Sequence, residues 1–331
     1  MSFKAFNLQN DFAPLTTAVN ETITITGSMF ALDANVKYYK NIASGSADID
    51  LGGYFQTCYD SYPTSSLSSP LFDVTFGITT GSVYNIASTL TSSLSEKNKI
   101  YRQFSSVLLG SPDNTFTIGS TATNEAVFIS FKRAITKDEI KKGTVSLVIN
   151  SSQAVQYTAS DAGAAVNFQQ KLGGDYSPLK NNTTGDEVGQ VWYNAGIVVL
   201  HPDLAWGADA TWSGTKNLVN SQSSGSINNI VDGVRKHIER IDIINQTNLQ
   251  SAVYFCRAYN NEFNYSSNPT FIDNSGYIRV VSGSNILVSR TYVTTIGLYD
   301  AADNLLAVGK LNKPVLKNPE TEAIFRLRLD Y

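Results

Sequence analysis

Histidine is almost missing from this chain: His201 and His237 are the only two in 331 residues. Cysteine is as scarce, with Cys58 and Cys256 alone. Zinc sites readable from sequence need His and Cys in sets at short spacings, and neither histidine has such a partner nearby. No metal and no cofactor is therefore expected. Two cysteines in a chain of this length do not make a disulfide framework. Both lie in strand-like segments and read as reduced core thiols. Charge is thin as well. Charged residues make up 16%, against about a quarter in an average soluble domain. With 25 basic and 28 acidic residues the net charge is −3. No basic face stands out, so nucleic acid is not an expected partner. No uninterrupted apolar run approaches the ~18 residues of a membrane-spanning helix, so no membrane is expected either. The opening MSFKAFNLQNDF lacks the charged-then-apolar pattern of a secretory signal. Synthesis and folding in a cytoplasm are expected.

What replaces charge is aromatic and neutral polar. There are 17 Tyr and 16 Phe, set among abundant Ser, Thr, Asn and Gly. Aromatic side chains supply large burial areas to cores and to interface centres alike. The length allows a large core in one or two domains. Many short β-branched and aromatic runs, punctuated by turn residues, predict a mainly β protein with minor α. The expected body is β-sandwich-like, with one or two helices packed on it and an extended N-terminal arm.

Along the chain, Met1–Ser28 reads as that arm. It ends in a strand where Thr22, Thr24 and Thr26 alternate with Ile23 and Ile25. Such an arm either joins its own sheet or crosses to a neighbour. Residues 29–331 form the body, and the loop-like 204–228 is where any subdivision would fall. Leu71–Phe76 and Ala126–Lys132 read as strands. One helix is expected over Leu94–Leu109, started by a Ser93–Glu96 capping box and stopped by Gly110. Its stripe is Ile100, Phe104, Val107 and Leu108. A helical turn is expected at Thr136–Glu139, and 151–189 as a surface excursion. Val191–Leu200 reads as one buried strand. Ile230–Ile244 reads as helix to about His237 and strand beyond. Near the C-terminus, Tyr292–Tyr299 and Leu305–Leu311 flank the polar Asp300–Asn304, a hairpin. In Ala323–Tyr331, Phe325, Leu327, Leu329 and Tyr331 share one face. Arg326, Arg328 and Asp330 share the other.

Catalytic chemistry finds little support. His201 and Asp203 form only a pair of letters at a strand end, where Pro202 turns the chain and Asp203 reads as a local cap. The carboxylate pairs Asp48/Asp50, Asp138/Glu139 and Asp186/Glu187 cannot be placed across a cleft. No Gly-rich phosphate loop precedes a helix. The expectation is a non-enzymatic protein with no catalytic, cofactor-binding or metal residues. Loop aromatics are the better signal. Trp206 and Trp212 either cover a core edge or project as interface anchors. Tyr259, Phe263 and Tyr265 are threaded through Asn260, Asn261, Asn264 and Asn268. They fit a protein neighbour or a sugar. With Arg326 and Arg328 of the wet strand face, these are the interface candidates.

Three segments carry a resemblance: VYFCRAYNNEFNYSSNPTF, TYVTTIGLYDAADNLLAVGKLNKP and the terminal IFRLRLDY. Together they span roughly Gln246–Tyr331. The patches VGQVWYNAGIVVLHPD (Val188–Asp203) and KDEIKKGTVSLVI (Lys137–Ile149) add to it. They resemble a family of virion structural proteins of contractile-tailed bacteriophages, notably those infecting cyanobacteria. In that family these segments often end much longer chains, and Met1–Ser95 carries no comparable likeness. The resemblance implies a structural role in the tail or baseplate and brings no catalytic residues. The implied partners are other virion structural proteins and copies of this chain, in a particle assembled in the bacterial cytoplasm. The rival expectations are a host-receptor-binding adhesin or fibre domain, a capsid-associated protein and a depolymerase.

Overall fold

The computed structural model describes residues 3–27, 30, 39–42, 54–79, 92–150, 156–207, 211–212, 216–217, 226–279 and 290–331. The protein is mainly β with minor α. The first elements are β1 (Phe12–Thr26), β2 (Tyr39–Ile42), β3 (Phe55–Tyr59), β4 (Pro70–Ile78) and α1 (Ser92–Leu109). Then come β5 (Phe116–Ile118), β6 (Thr121–Thr123), β7 (Glu125–Phe131), α2 (Arg133–Thr136) and β8 (Glu139–Ile140). Next are β9 (Ser146–Asn150), β10 (Gln156–Ser160), β11 (Gln169–Lys171), β12 (Gly174–Asn181), β13 (Glu187–Trp192) and β14 (Ile197–Leu200). After α3 (Pro202–Trp206) follow β15 (Thr211–Trp212), β16 (Lys216–Asn217), α4 (Ile227–Lys236) and β17 (Ile238–Ala258). The last three are β18 (Thr291–Tyr299), β19 (Leu305–Lys317) and β20 (Ala323–Asp330). No helix among the described residues is long and apolar enough to cross a membrane.

Two compact units divide the chain: Val19–Thr247, and Met1–Ala18 with Asn248–Tyr331. The division falls inside the expected arm. Of the stretch 204–228, residues 208–210, 213–215 and 218–225 lie outside the described residues.

The larger unit is built on an antiparallel sheet in the order β17-β9-β10-β12-β13-β14-β7-β4-β3-β2. Central β7 pairs with β14 (Leu200 opposite Val127) and with β4 (Phe76 opposite Val127). Its Ala126–Ile129 run is wholly buried. An uninterrupted apolar run fits a strand covered on both faces. Helix α1 packs on β4, α4 on β3 and β4, and α3 on β7, β9 and β13. In α1 the buried positions Lys97, Ile100, Tyr101, Ser105 and Leu108 recur at helical spacing. Val107 is 56% exposed and lies outside this stripe, one helical step from Leu108. The side chain of Ser93 lies outside the described residues. Gly110 ends the helix at φ 84°.

An aromatic cluster locks α1 to the sheet. Phe104 stacks on Phe128 with centroids 4.1 Å apart. Tyr101 and Phe116 meet edge-on at 5.6 Å. The Tyr101 hydroxyl donates to the Thr123 carbonyl at 2.6 Å and accepts from Phe116 N at 3.1 Å. The helix can come this close because Gly77 has no side chain. A Cβ there would sit 2.8 Å from Tyr101 N and 3.0 Å from its Cα.

Two buried charges are fully partnered. Asp161 accepts from Gly143 N (2.8 Å), Val145 N (2.9 Å) and the Tyr193 hydroxyl (2.8 Å). Burial nevertheless pushes its carboxyl above the ordinary value. Arg235 donates to Gln56 Oε1 (2.9 Å) and pairs with Asp232 (2.6 Å), with its guanidinium 3.9 Å from the Tyr39 ring centre. Burial alone would raise the Asp232 carboxyl, but Arg235 and Lys236 outweigh it and hold the group below its ordinary value.

The expected break near His237 is present: α4 ends at Lys236 and β17 starts at Ile238. Other expectations are corrected. The helical turn is α2, one turn before Thr136–Glu139. Lys137 adopts φ 57°, which ends the helix, and Glu139–Ile140 extends to pair with Gln246 and Asn245 of β17. Val191–Leu200 is a hairpin, because Gly196 at φ 66° turns the chain and sets Trp192 opposite Ile197. The supposed excursion holds β10 and β12 in the middle of the sheet, with β11 paired to β12 off the main strand order. Cys58 is buried and Cys256 only half-buried; both are free thiols.

Two stability predictions follow from this core. Gly77→Ala must push α1 off β4, so it should cost about 1–3 kcal/mol, the usual range for overpacking; thermal melting reads the loss. Asp232 has a depressed folded-state pKa, so its contribution is present above the ordinary value of 3.8 and lost as pH falls below it. Asp232→Asn should therefore lower the melting temperature at pH 7, with the gap to wild type shrinking at pH 3.

Candidate functional site

In the smaller unit, the second half of β17 pairs with β20, from Ser251 opposite Asp330 to Ala258 opposite Ala323. Phe325, Leu327 and Leu329 alternate as the half-buried face, as the period of two predicts. Gly309 of β19 leaves room for Leu327: a Cβ there would lie 2.9 Å from Leu327 Cδ1. Tyr331 departs from the expectation. Its N–H donates to Gln250 O at 2.9 Å, but its side chain is 80% exposed, one residue past the end of β20. The start of the chain is bound to this same unit. Phe6 and Phe12 meet the Tyr254 ring. Asp11 pairs with Arg257 at 2.9 Å, and Lys4 with Glu262 at 2.7 Å. Of the two fates open to the arm, β1 takes its own sheet, beside β17.

The Tyr/Asn loop from Tyr259 is held by one buried ammonium. Lys317 Nζ donates to Asn260 O (3.1 Å), Asn264 Oδ1 (2.9 Å) and Asn318 O (2.9 Å). Tyr259 is about half exposed, with Lys4 Nζ 3.7 Å above its ring. Tyr265 is exposed and meets Phe271 edge-on at 6.0 Å. Phe263 is half-buried at φ 55°. Arg326 points to solvent. Arg328 is exposed but pairs with Asp330 at 2.6 Å and donates to Ser251 Oγ at 3.1 Å. Close by in sequence, the β18–β19 hairpin and β20 display Tyr292, Leu306, Val308 and Ile324, each more than half exposed.

The tryptophans lie elsewhere. Trp206 is fully buried, so it is a core residue and not a surface anchor. Trp212 belongs to β15; its side chain lies outside the described residues.

The larger unit gathers a second group of side chains. Glu125 opens β7, His201 follows β14, and Asp203 is in the first turn of α3. With Leu200 opposite Val127, the register carries His201 and Glu125 to the same end of the strand pair. One ligand atom from each of Glu125, His201 and Asp203 lies within 4.8 Å of the other two. His201 Nδ1 and Asp203 Oδ1 are buried without a hydrogen-bond partner. Burial pushes the His201 imidazole below its ordinary value, and Asp203 opposes this only in part. The capping role expected of Asp203 is not seen: His201 is the N-cap, and its side chain makes no capping bond. Sequence spacing could not reveal Glu125, because only sheet register brings it to the pair. His237, in contrast, closes α4 and places Nδ1 3.1 Å from Asn150 O.

One carboxylate of each described pair is taken up structurally. Glu139 accepts from Gln246 Nε2 (2.9 Å) and Asn194 Nδ2 (3.2 Å). Glu187 accepts from Gly119 N at 3.3 Å. Asp48 and Asp50 lie outside the described residues. A concavity of about 540 Å³ in the larger unit is lined by Thr26, Phe30, Asn150, Lys236, Glu239 and Arg240. Its charges are committed, Lys236 to Asp232 (3.0 Å) and Arg240 to Asp242 (2.8 Å).

No family model matches this chain, and neither a curated protein nor a solved structure does.

Lys317→Met would leave three acceptors without their donor. An orphaned polar contact of this kind costs about 1–3 kcal/mol. The expected outcome is a lower melting temperature together with faster amide exchange over Asn260–Asn268.

Proposed function

We propose that this chain is a non-enzymatic structural subunit of a bacteriophage particle, in the tail baseplate or a tail-associated assembly. Its role is to hold neighbouring virion proteins, including copies of itself, through large interfaces. The observation that carries this reading is the apolar surface of the smaller unit. Tyr292, Leu306, Val308 and Ile324 stand in solvent on regular strands. A two-stranded hairpin is marginal alone in water, and on β19 Leu306 and Val308, two residues apart, put exposed apolar side chains on one face of it. The C-terminal likeness to virion structural proteins supports the same reading, and the exposed Tyr259 and Tyr265 supply anchors of the kind that interface centres favour.

Val308→Asp provides the test. The side chain is exposed opposite Gly297, so the isolated protein should melt within the ±0.5 kcal/mol typical of surface changes. Incorporation into particles should fall sharply, as read by mass spectrometry of purified virions. Normal incorporation of the variant, or absence of the wild-type chain from virions, would overturn the reading.

A further inference from the structure

We propose that Glu125, His201 and Asp203 bind one divalent transition-metal ion, with Zn²⁺ as its representative, at the end of the β7–β14 pair. The proposal concerns the larger unit and goes beyond the assembly role.

Three observations lead to it. The first is position. One imidazole nitrogen and two carboxylate oxygens lie within 4.8 Å of one another. Around an ion bound at ~2.0–2.2 Å, neighbouring ligand atoms stand about 3–3.6 Å apart. Side-chain adjustments of about 1 Å close that difference. The second is unmet bonding. His201 Nδ1 and Asp203 Oδ1 have no hydrogen-bond partner and no access to water. A buried polar atom left without a partner is costly, and a buried charge more so. A cation bound in the cluster would offset its two carboxylate charges in one place. The third is rigidity. The three residues sit on framework that the core already fixes. Glu125 follows Thr123, whose carbonyl accepts from Tyr101. Asp203 lies in the turn that Trp206 anchors by its full burial. The Tyr157 hydroxyl, donating to the Ala205 carbonyl, holds that turn from the other side.

Ligand chemistry selects the ion. An imidazole nitrogen with two carboxylates suits Zn²⁺ and its first-row neighbours. Ca²⁺ takes six to eight oxygens, more than this set offers, and Mg²⁺ does not favour imidazole. Three protein ligands leave coordination positions to water. Bound there, the ion would tie the start of β7, the end of β14 and the first turn of α3 together.

The test uses the purified full chain after chelator treatment. Equilibrium dialysis against Zn²⁺ should show one ion per chain, and Zn²⁺ should raise the melting temperature. Glu125→Gln, His201→Gln and Asp203→Asn should each weaken binding more than about tenfold, because even residues behind metal ligands cost 10–100-fold. His237→Gln should bind as wild type does. Should a variant fail to fold, the wild-type chain still decides. With only two histidines present, Zn²⁺ should shift the ring ¹⁵N resonances of one and leave the other in place. No uptake of Zn²⁺, unchanged affinity in folded variants, equal preference for Ca²⁺, or no shift of the His201 ring would each overturn the proposal.

Discussion

The stacking of Phe104 on Phe128 is the contact on which the larger unit depends. It joins the long helix to the central strand. Tyr101 and Phe116 close around it edge-on. Aromatic pairs in these geometries add about 0.5–1.5 kcal/mol each beyond the area they bury. The Tyr101 hydroxyl is a polar atom inside this apolar cluster. It is satisfied on both sides, as donor to Thr123 O and acceptor from Phe116 N. Burial without such partners would have cost more than the cluster gains. With α1 seated, β7 has neighbours on both edges, β14 and β4, and the sheet grows outward from it.

This arrangement explains what the sequence could and could not reveal. Where one residue type at one spacing decides the structure, the reading was direct. The alternation in Ala323–Asp330 and the polar Asp300–Asn304 between two β-branched runs are of this kind. So is the break after Lys236. Where a strand is defined by its partners, composition misled. Gln156–Ser160 and Gly174–Asn181 are polar and include Pro178, yet β9 and β13 give them ladders to join. Trp206 sits in a Gly-rich stretch that looks like surface, but a five-residue helix turns its ring into the core. The Glu125–His201–Asp203 group was invisible for the same reason. A strand pairing, and no local motif, makes it.

The two units handle their polar groups differently. In the larger one, Asp161 and Arg235 are enclosed and used as internal ties between distant segments. In the smaller one, most charges stay in water. Arg328 and Asp330 pair at the surface, where an ion pair contributes little to stability. The smaller unit thus keeps its exposed strands free of strong internal commitments.

Lys317 departs from this pattern. Its ammonium has no solvent exposure and spends its donors on the loop from Asn260 to Asn264 and on Asn318. An amine in that state cannot meet an acylating reagent. Like the buried Lys97, it should stay unlabelled as long as the loop is closed, but unlike Lys97 it should become reactive when the loop swings away. The side chain that shapes the loop is therefore also a built-in chemical reporter of whether that loop is in place.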